Sequence, residues 1–249
     1  MLALLPPSET KHAGGSGAPL DLSALTAAEQ LTDVRSRLVD AVVELAADVT
    51  ASRAALGLSD QQDGEIDRNA ALRSSPTAPA IERYTGVLYD ALDVRSLTKA
   101  QRAKADARLA VGSALFGVVR AGDPIPAYRL SAGSQLPGLP TLRALWKPVL
   151  GPVLAAQEGL VVDLRSGGYA ALAPVPGAVT VDVVSERADG SRAVVSHFNK
   201  AHKGRLARLL VTTRAEPTDV VGLVGLLRRG GFHVERPRGG SALTLVVPA

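Results

Sequence analysis

The stretch SHFNKAHKGRLARLLVTTR, residues 196–214, carries the two patterns on which both the fold and the function of this chain turn. It follows an alternating segment, and Asn199 is of a type that often precedes the first turn of a helix. Leu206, Leu209 and Leu210 fall on one side of the predicted helix. The remaining arc carries the five cations Lys200, Lys203, Arg205, Arg208 and Arg214. Since the stretch holds no carboxylate, we expect a helix that buries one face and offers a positive face to an anionic partner.

The cations of the chain are concentrated in its second half. Residues 1–110 hold 12 Lys and Arg against 15 Asp and Glu, whereas residues 111–249 hold 16 against 9. The sequence pI is about 9.6. Clustered cations of this kind are typical of proteins that bind phosphate-rich partners.

Several features exclude other classes of protein. The chain has no cysteine, which excludes disulfides and thiolate metal chemistry. The four histidines show no convincing metal-ligand spacing, so we predict neither a metal nor a cofactor. The first residues lack the basic region of a signal peptide, and no apolar run reaches the about 20 residues of a membrane span. We therefore expect a cytoplasmic protein without a membrane contact.

Alternating strand and helix patterns predict a mixed α/β fold, with helices flanking a mixed sheet in one domain that spans residues 1–249. The predicted strands cover residues 1–5, 160–164, 178–186, 192–196, 232–236 and 242–247, the last four as two hairpins. The predicted helices cover residues 25–49, 60–73, 80–92, 98–110, 141–157 and 218–229. Thr26 and Thr98 are expected to cap helices, and Pro148 and Pro152 to kink or split theirs.

Two glycines bracket an apolar segment at 112–117 that allows two interpretations. Gly112 and Gly117 are suited to a hairpin whose backbone N–H groups approach a phosphate. They are equally suited to a buried strand with close packing. The spacing alone does not decide between them.

Segments along nearly the whole chain match one known family in order. They are PPSETK after the first strand, YTGVLY at 84–89, GSALFGVVRAGDPIPAYRL at 112–130, the Leu145-Trp146 pair, the segment at 162–169 and the basic segment at 196–210. These resemble the SPAKT-type turn, the GDVYxGL segment, the SGLYGVLRPLDxIxPYRLEM signature and the later landmarks of the YaaA family of bacterial peroxide stress proteins. The chain departs from the family pattern at Glu9, which stands where SPAKT has lysine, and at Ala121, Ser131, His197 and Phe198.

The resemblance implies an α/β domain of unusual topology with a positively charged cleft, a helix-hairpin-helix-like element, duplex DNA binding and a part in limiting oxidative damage. On that basis we predict DNA as the partner, bound through its phosphate backbone. The predicted contacts are Lys11, Gly112, Gly117, Arg120, Arg129, Lys200, Lys203, Arg205 and Arg208. The alternative for the basic segment is a merely solvated helix face.

The segment at 8–11 suggests a second function. It follows the first strand, where α/β folds commonly place ligands. An enzyme that processes a nucleotide or a modified base there would use Glu9, Tyr128, Arg129, His197 and Lys200. The alternatives are a polar turn at 8–11 and an internal salt bridge from Arg129 to Asp123 or Asp163. A protein–protein adaptor ranks last, since no exposed apolar stripe is evident.

Overall fold

The computed structural model describes residues 1–187, 189–194, 196–237 and 240–248, and the side chains at 194 and 196–198 lie outside the described part. The described chain contains both strands and helices along its whole length. The strands are β1 (Leu2–Leu5), β2 (Ala78–Pro79), β3 (Leu109–Ser113), β4 (Gly117–Arg120), β5 (Pro124–Ile125), β6 (Val161–Asp163), β7 (Val179–Glu186), β8 (Arg192–Val194), β9 (Val234–Glu235) and β10 (Ala242–Pro248). The α-helices are α1 (Ala28–Leu45), α2 (Val49–Leu56), α3 (Gly64–Ala70), α4 (Ala80–Arg83), α5 (Val87–Leu92), α6 (Lys99–Arg108), α7 (Leu142–Ala155), α8 (Gly167–Leu172), α9 (Ser196–Thr212) and α10 (Val220–Arg229).

Strands from both halves of the chain join in one mixed sheet, which confirms the predicted α/β class. Its order is β4-β3-β1-β6-β7-β10-β9, and β8 pairs with β7 beyond the end of β6. The strands β1, β3, β6, β7 and β10 run parallel, whereas β4, β8 and β9 are antiparallel to their neighbours. β1, β3 and β6 are short and fully buried, which is why they read as apolar runs in the sequence, whereas β7 alternates buried and exposed residues. Their carboxyl ends define one edge of the sheet.

Local signals in the sequence placed several helix starts correctly. Thr98 accepts a hydrogen bond from the backbone N–H of Gln101, and its capping box begins α6. Thr141 caps α7 by accepting a hydrogen bond from the backbone N–H of Ala144. α7 continues through Pro148 and Pro152, so these prolines do not split it. Asp219 caps α10.

Other predicted helices were too long or began at the wrong residue. The helix expected at 25–49 ends at Leu45, and Thr26 does not cap it, because its N–H and hydroxyl bind the carboxylate of Asp123 instead. The helix expected at 80–92 is interrupted at residues 84–86 and becomes α4 and α5. Asn199 does not cap α9, since that helix begins at Ser196.

Both predicted hairpins form, within the residues that the structure describes. Glu186 pairs with Arg192 in the first, and Leu245 pairs with Val234 in the second. Residues 188, 195, 238 and 239, which the predictions also covered, lie outside the described part.

The core beneath the sheet edge is fixed by polar groups from distant helices. The buried Arg35 donates hydrogen bonds to the carbonyls of Phe116 and Val118, at 3.0 and 2.9 Å. Trp146 donates its indole N–H to the carbonyl of Ala114 at 2.8 Å. Because buried carbonyls need donors, these contacts pin the turn that joins β3 to β4. None of the described helices has the length and apolar character needed to span a membrane.

Candidate functional site

The turn that follows β1 lies at the centre of the candidate site. Since β1 pairs in parallel with both β3 and β6, the carboxyl ends of three strands meet beside it. Polar side chains gather at this edge from four parts of the chain. We call them the strand-end site, which comprises Glu9, Lys11, Tyr84, Ser113, Tyr128 and Arg129.

Lys11 is buried beneath two aromatic rings. Its Nζ donates to the carbonyl oxygens of Ser8 and Glu9 at 3.0 and 3.4 Å. The same atom lies 4.1 Å from the ring centroid of Tyr128 and 5.5 Å from that of Tyr84, within cation–π range. Burial lowers the pKa of Lys11 to about 8, against the opposing effect of the Glu9 carboxylate. Lys11 therefore has little surface for a phosphate, and its pKa lies closer to neutral pH than that of an exposed lysine.

A chain of hydroxyl groups fixes the two rings above Lys11. The backbone N–H of Phe116 donates to Ser113 Oγ at 2.9 Å, and Ser113 Oγ lies 2.8 Å from Tyr128 Oη. Tyr128 Oη in turn lies 2.8 Å from Tyr84 Oη. Burial raises the pKa of Tyr84 to about 12 and that of Tyr128 well above its ordinary value. Both phenols are therefore neutral, and they orient the rings rather than carry charge.

Glu9 and Arg129 form the charged mouth of the strand-end site. Arg129 Nη1 lies 3.4 Å from Glu9 Oε2, so Arg129 pairs with Glu9 and not with Asp123 or Asp163, as had been an alternative. Asn69 holds the backbone of Arg129 by donating to its carbonyl and accepting from its N–H, at 2.9 and 2.8 Å. Within the described residues, Glu9 Oε2 and Arg129 Nε are buried without any hydrogen-bond partner. Apart from the ion pair between them, the Glu9 carboxylate and the Arg129 guanidinium therefore each retain unused hydrogen-bonding capacity at one place.

The first turn of α9 lies at the same edge. A Cβ built on Gly204 would lie 2.1 Å from the carbonyl of Leu88, and four residues later Arg208 donates to the carbonyl of Leu92. α5 and α9 therefore run in the same direction, with the start of α5 beside the middle of α9. At the N-terminal end of α5, a Cβ on Gly86 would lie 3.5 Å from Ser8 Oγ, in the turn after β1. Lys200, one turn before Gly204, is exposed on the part of α9 that extends past the start of α5.

The cations of α9 do not form the uniform positive face that the sequence suggested. Lys203 is buried and donates to the carbonyl of Leu164 at 3.0 Å, and burial lowers its pKa. Arg208 donates to the carbonyls of Leu92 and Asp93. Both side chains therefore stabilise the packing of α9, so they do not fit the predicted phosphate contacts. Lys200 and Arg205 remain exposed, as does Arg214 beyond the helix end.

The segment at 112–117 is a buried β-hairpin, so the buried-strand interpretation is confirmed and a helix-hairpin-helix-like element at these residues is wrong. A Cβ on Gly112 would lie 3.0 Å from the Arg165 side chain, and one on Gly117 would lie 2.8 Å from Trp146. Gly117 also has a φ of +74°, which favours glycine. Because the space is filled from within, no phosphate reaches these glycines.

Arg120 lies away from the strand-end site. It pairs with Ala110 near the start of β3, at the opposite edge of the sheet. Its guanidinium donates to the carbonyl of Ala107 and to Gln157 Oε1, at 3.0 and 2.9 Å. These contacts give Arg120 a structural role. The predicted contact of Arg120 with the same anion as Arg129 therefore does not fit this geometry.

Several residues that form or support the strand-end site were not predicted from the sequence. Ser113 and Asn69 contact Tyr128 and Arg129 over 15 and 60 residues of chain, and no local pattern indicates such partners. Tyr84 was assigned to a helix interior, although the Thr-Gly that follows it was a signal for a break. The side chain of His197 lies outside the described part. Among the described residues, no cluster of three His, Asp or Glu suited to a metal occurs.

Comparison with known proteins adds an independent observation. A family model described as "Peroxide stress protein YaaA" matches residues 1–236. A UPF0246 protein of Corynebacterium efficiens is 51% identical over 252 residues, covering 99% of this chain and 100% of the relative. A UPF0246 protein of Streptomyces coelicolor is 46% identical over 240 residues, covering 94% and 92% of the two chains.

Proposed function

This chain belongs to the YaaA family of peroxide stress proteins (UPF0246), and from that membership we propose that it binds DNA, with one nucleotide unit of the strand held at the strand-end site. The observation that carries the proposal is the incomplete hydrogen bonding of the Glu9–Arg129 pair: Glu9 Oε2 has the 3.4 Å ion pair with Arg129 but no hydrogen-bond donor, and Arg129 Nε has no acceptor, within the described residues. Buried polar atoms without hydrogen bonds are costly, so a ligand that completes both gains affinity.

A nucleotide unit offers what the two atoms lack. Its phosphate oxygens accept from Arg129, whose planar guanidinium is suited to that geometry. Its sugar hydroxyl or base N–H groups donate to Glu9. A simple inorganic anion would satisfy Arg129 alone, and a simple cation would satisfy Glu9 alone. The pairing of donor and acceptor therefore favours a ligand that carries both.

Few phosphates are expected to contribute to binding. The two expected contacts are Lys200, exposed on the part of α9 that extends past the start of α5, and the half-buried Arg129. Glu9 lies beside Arg129, and Arg68 is paired with Glu65 on α3, so acids offset part of the local charge. With about two phosphate contacts, the logarithm of the binding constant falls with the logarithm of the salt concentration at a slope of about −2.

A salt titration of DNA binding tests this proposal. Fluorescence anisotropy with a labelled duplex and with the corresponding single strand gives the slope for the native protein. Arg129→Gln and Lys200→Gln should each weaken binding roughly tenfold and reduce the slope by about one. Lys147→Gln is the matched control, since Lys147 is exposed on α7 and belongs to neither contact. Equal affinities for all four proteins, or no DNA binding, would contradict the proposal.

A specific observation favours a second candidate, an enzyme that processes a nucleotide at the same site. The pKa of Lys11 near 8 is suited to a group that takes up and releases a proton, and Glu9 lies next to it. The discriminating measurement is the same set of variants with mononucleotides in place of DNA. An enzyme is supported by mononucleotide binding and turnover that Lys11→Met abolishes, with little binding to longer DNA.

A further inference from the structure

A cavity of about 520 Å³ opens beside α9, next to the face that packs against α5. One wall is α9, from His202 to Thr212. The opposite wall is the end of β10 together with the turn at 230–233, which joins α10 to β9. We call this space the α9–β10 cavity. It shares no residue with the strand-end site.

The charged groups of the α9–β10 cavity all have one sign. Its lining includes His202, Arg205, Arg208 and His233. Among the described lining residues there is no Asp or Glu. The Arg208 guanidinium already donates hydrogen bonds to the carbonyl of Leu92 at the end of α5 and to Ser96 Oγ. Arg208 also forms an ion pair with Asp93, 3.6 Å away. Arg205 is exposed and, within the described part of the chain, makes neither an ion pair nor a side-chain hydrogen bond. Burial and the neighbouring Arg205 lower the pKa of His202, so Arg205 is the permanent cation of the lining that can pair with a ligand.

The lining of the same cavity also has apolar members, which are Leu209, Phe232, Leu245 and Val247. We call the first three the apolar floor. The turn beneath it is closely packed, because a Cβ on Gly230 would lie 2.3 Å from the side chain of Leu209. This packing allows only glycine at 230 without displacing Leu209. Close packing against Gly230 therefore restricts the position of the Leu209 side chain.

We propose that the α9–β10 cavity binds a small organic anion that has one carboxylate or phosphate head and an apolar body. The head pairs with Arg205, and the body covers Leu209, Phe232 and Leu245. Inorganic phosphate would leave the apolar floor in contact with water, and a neutral alkane chain would leave Arg205 without a partner. A DNA backbone fits poorly for the first of these reasons. The volume lies within the range of small-molecule sites.

Three probes separate the two parts of this proposal. Octanoate carries a head and a body, 1-octanol carries only the body, and inorganic phosphate carries only the charge. Calorimetric titration of the full chain should show octanoate binding at least roughly tenfold more tightly than either other probe, since both interactions contribute. Equal binding of phosphate and octanoate, or binding of 1-octanol as tight as that of octanoate, would overturn the proposal. So would the absence of octanoate binding.

Substitutions then locate the site. Arg205→Gln should weaken octanoate binding roughly tenfold, because it removes the charge while the exposed position keeps the fold intact. Arg214→Gln, an exposed arginine outside the cavity, is the matched control and should bind octanoate as the native chain does. Octanoate should also shift the backbone amide resonances of Gly230 and Gly231. Unchanged affinity in Arg205→Gln, or amide shifts confined to other residues, would place the ligand elsewhere and overturn the assignment.

Discussion

The strand-end site and the α9–β10 cavity lie on two sides of one helix and use their cations in opposite ways. In the strand-end site, Lys11 is enclosed by carbonyls and aromatic rings, and Arg129 faces Glu9. In the α9–β10 cavity, Arg205 stands over an apolar floor without an acidic neighbour in the lining. The strand-end site therefore resembles a preorganised polar site. The α9–β10 cavity resembles a site that attracts an anion through a single positive charge. The same residue type therefore predicts different ligands, according to its burial and its neighbours.

The largest expected effect comes from breaking the contact on which both regions depend. Gly204→Ala would place a Cβ 2.1 Å from the carbonyl of Leu88, so α9 must move away from α5. We expect a loss of about 3 kcal/mol in the free energy of unfolding, at the upper end of overpacking costs, together with weaker binding of both DNA and octanoate. Urea denaturation measures the stability.

Gly151→Ala in α7 is the matched control for that substitution. A Cβ on Gly151 meets nothing within 4 Å, so this change should stabilise the helix by up to about 1 kcal/mol. If Gly204→Ala keeps native stability and binds only one of the two ligands less well, α9 does not couple the regions as its packing implies.

The second effect sharpens the description of the strand-end site through its pH dependence. Lys11 has a pKa of about 8 in the folded chain and an ordinary pKa of 10.5 in the unfolded chain, so between these values the unfolded chain binds more protons than the folded one. Stability contributed by this group therefore rises with pH across that window. From pH 7.5 to 9.5 the gain is about 2 kcal/mol. The raised pKa of Tyr84 acts in the opposite direction, but only above the ordinary tyrosine pKa of 10.0.

Urea denaturation at pH 7.5, 8.5 and 9.5 measures this gain, and the Lys11→Met variant should lack it. A neutral side chain of similar length keeps the packing against Tyr128 while it removes the titration. Parallel pH curves for the native chain and Lys11→Met would show that Lys11 keeps an ordinary pKa, and the strand-end site would lose its proton-exchanging group.

Much of the architecture could be predicted because its signals are local. β1 follows from an apolar run that ends at two prolines, and the start of α6 follows from Thr98, which was expected to cap it. The helix expected at 141–157 begins at Leu142. The edge after β1 was expected to hold a ligand on topological grounds, and Glu9 and Arg129 meet there. The family membership followed from the order of several such segments.

The positions of individual cations could not be predicted, because they depend on contacts between distant parts of the chain. Lys203 and Lys200 lie three residues apart in the same helix, yet one is buried against Leu164 and the other is exposed. Leucine spacing predicted a buried side for α9, but not that a second helix would pack against Gly204. The interpretation of residues 112–117 as a phosphate-binding hairpin was wrong for a related reason. Glycine permits the close approach of a phosphate and the close packing of a side chain such as Trp146 equally well.

The smallest expected effect tests whether the two regions are independent. Lys200 and Arg205 are separated by about 7.5 Å along α9 and point to different sides of it. Lys200→Gln should weaken DNA binding and leave octanoate binding unchanged, whereas Arg205→Gln should do the reverse. For each ligand, the binding free energy lost in the double variant should equal the sum of the losses in the two single variants, with a coupling free energy below about 0.5 kcal/mol.

Anisotropy titrations with DNA and calorimetric titrations with octanoate complete this double-mutant cycle. A coupling above about 1 kcal/mol would mean that the two side chains share a partner. One anion would then extend around the N-terminal half of α9, from the strand-end site into the α9–β10 cavity. In that event the cations of α9 would form one surface after all, as the sequence first suggested, and the separation into two sites would be wrong.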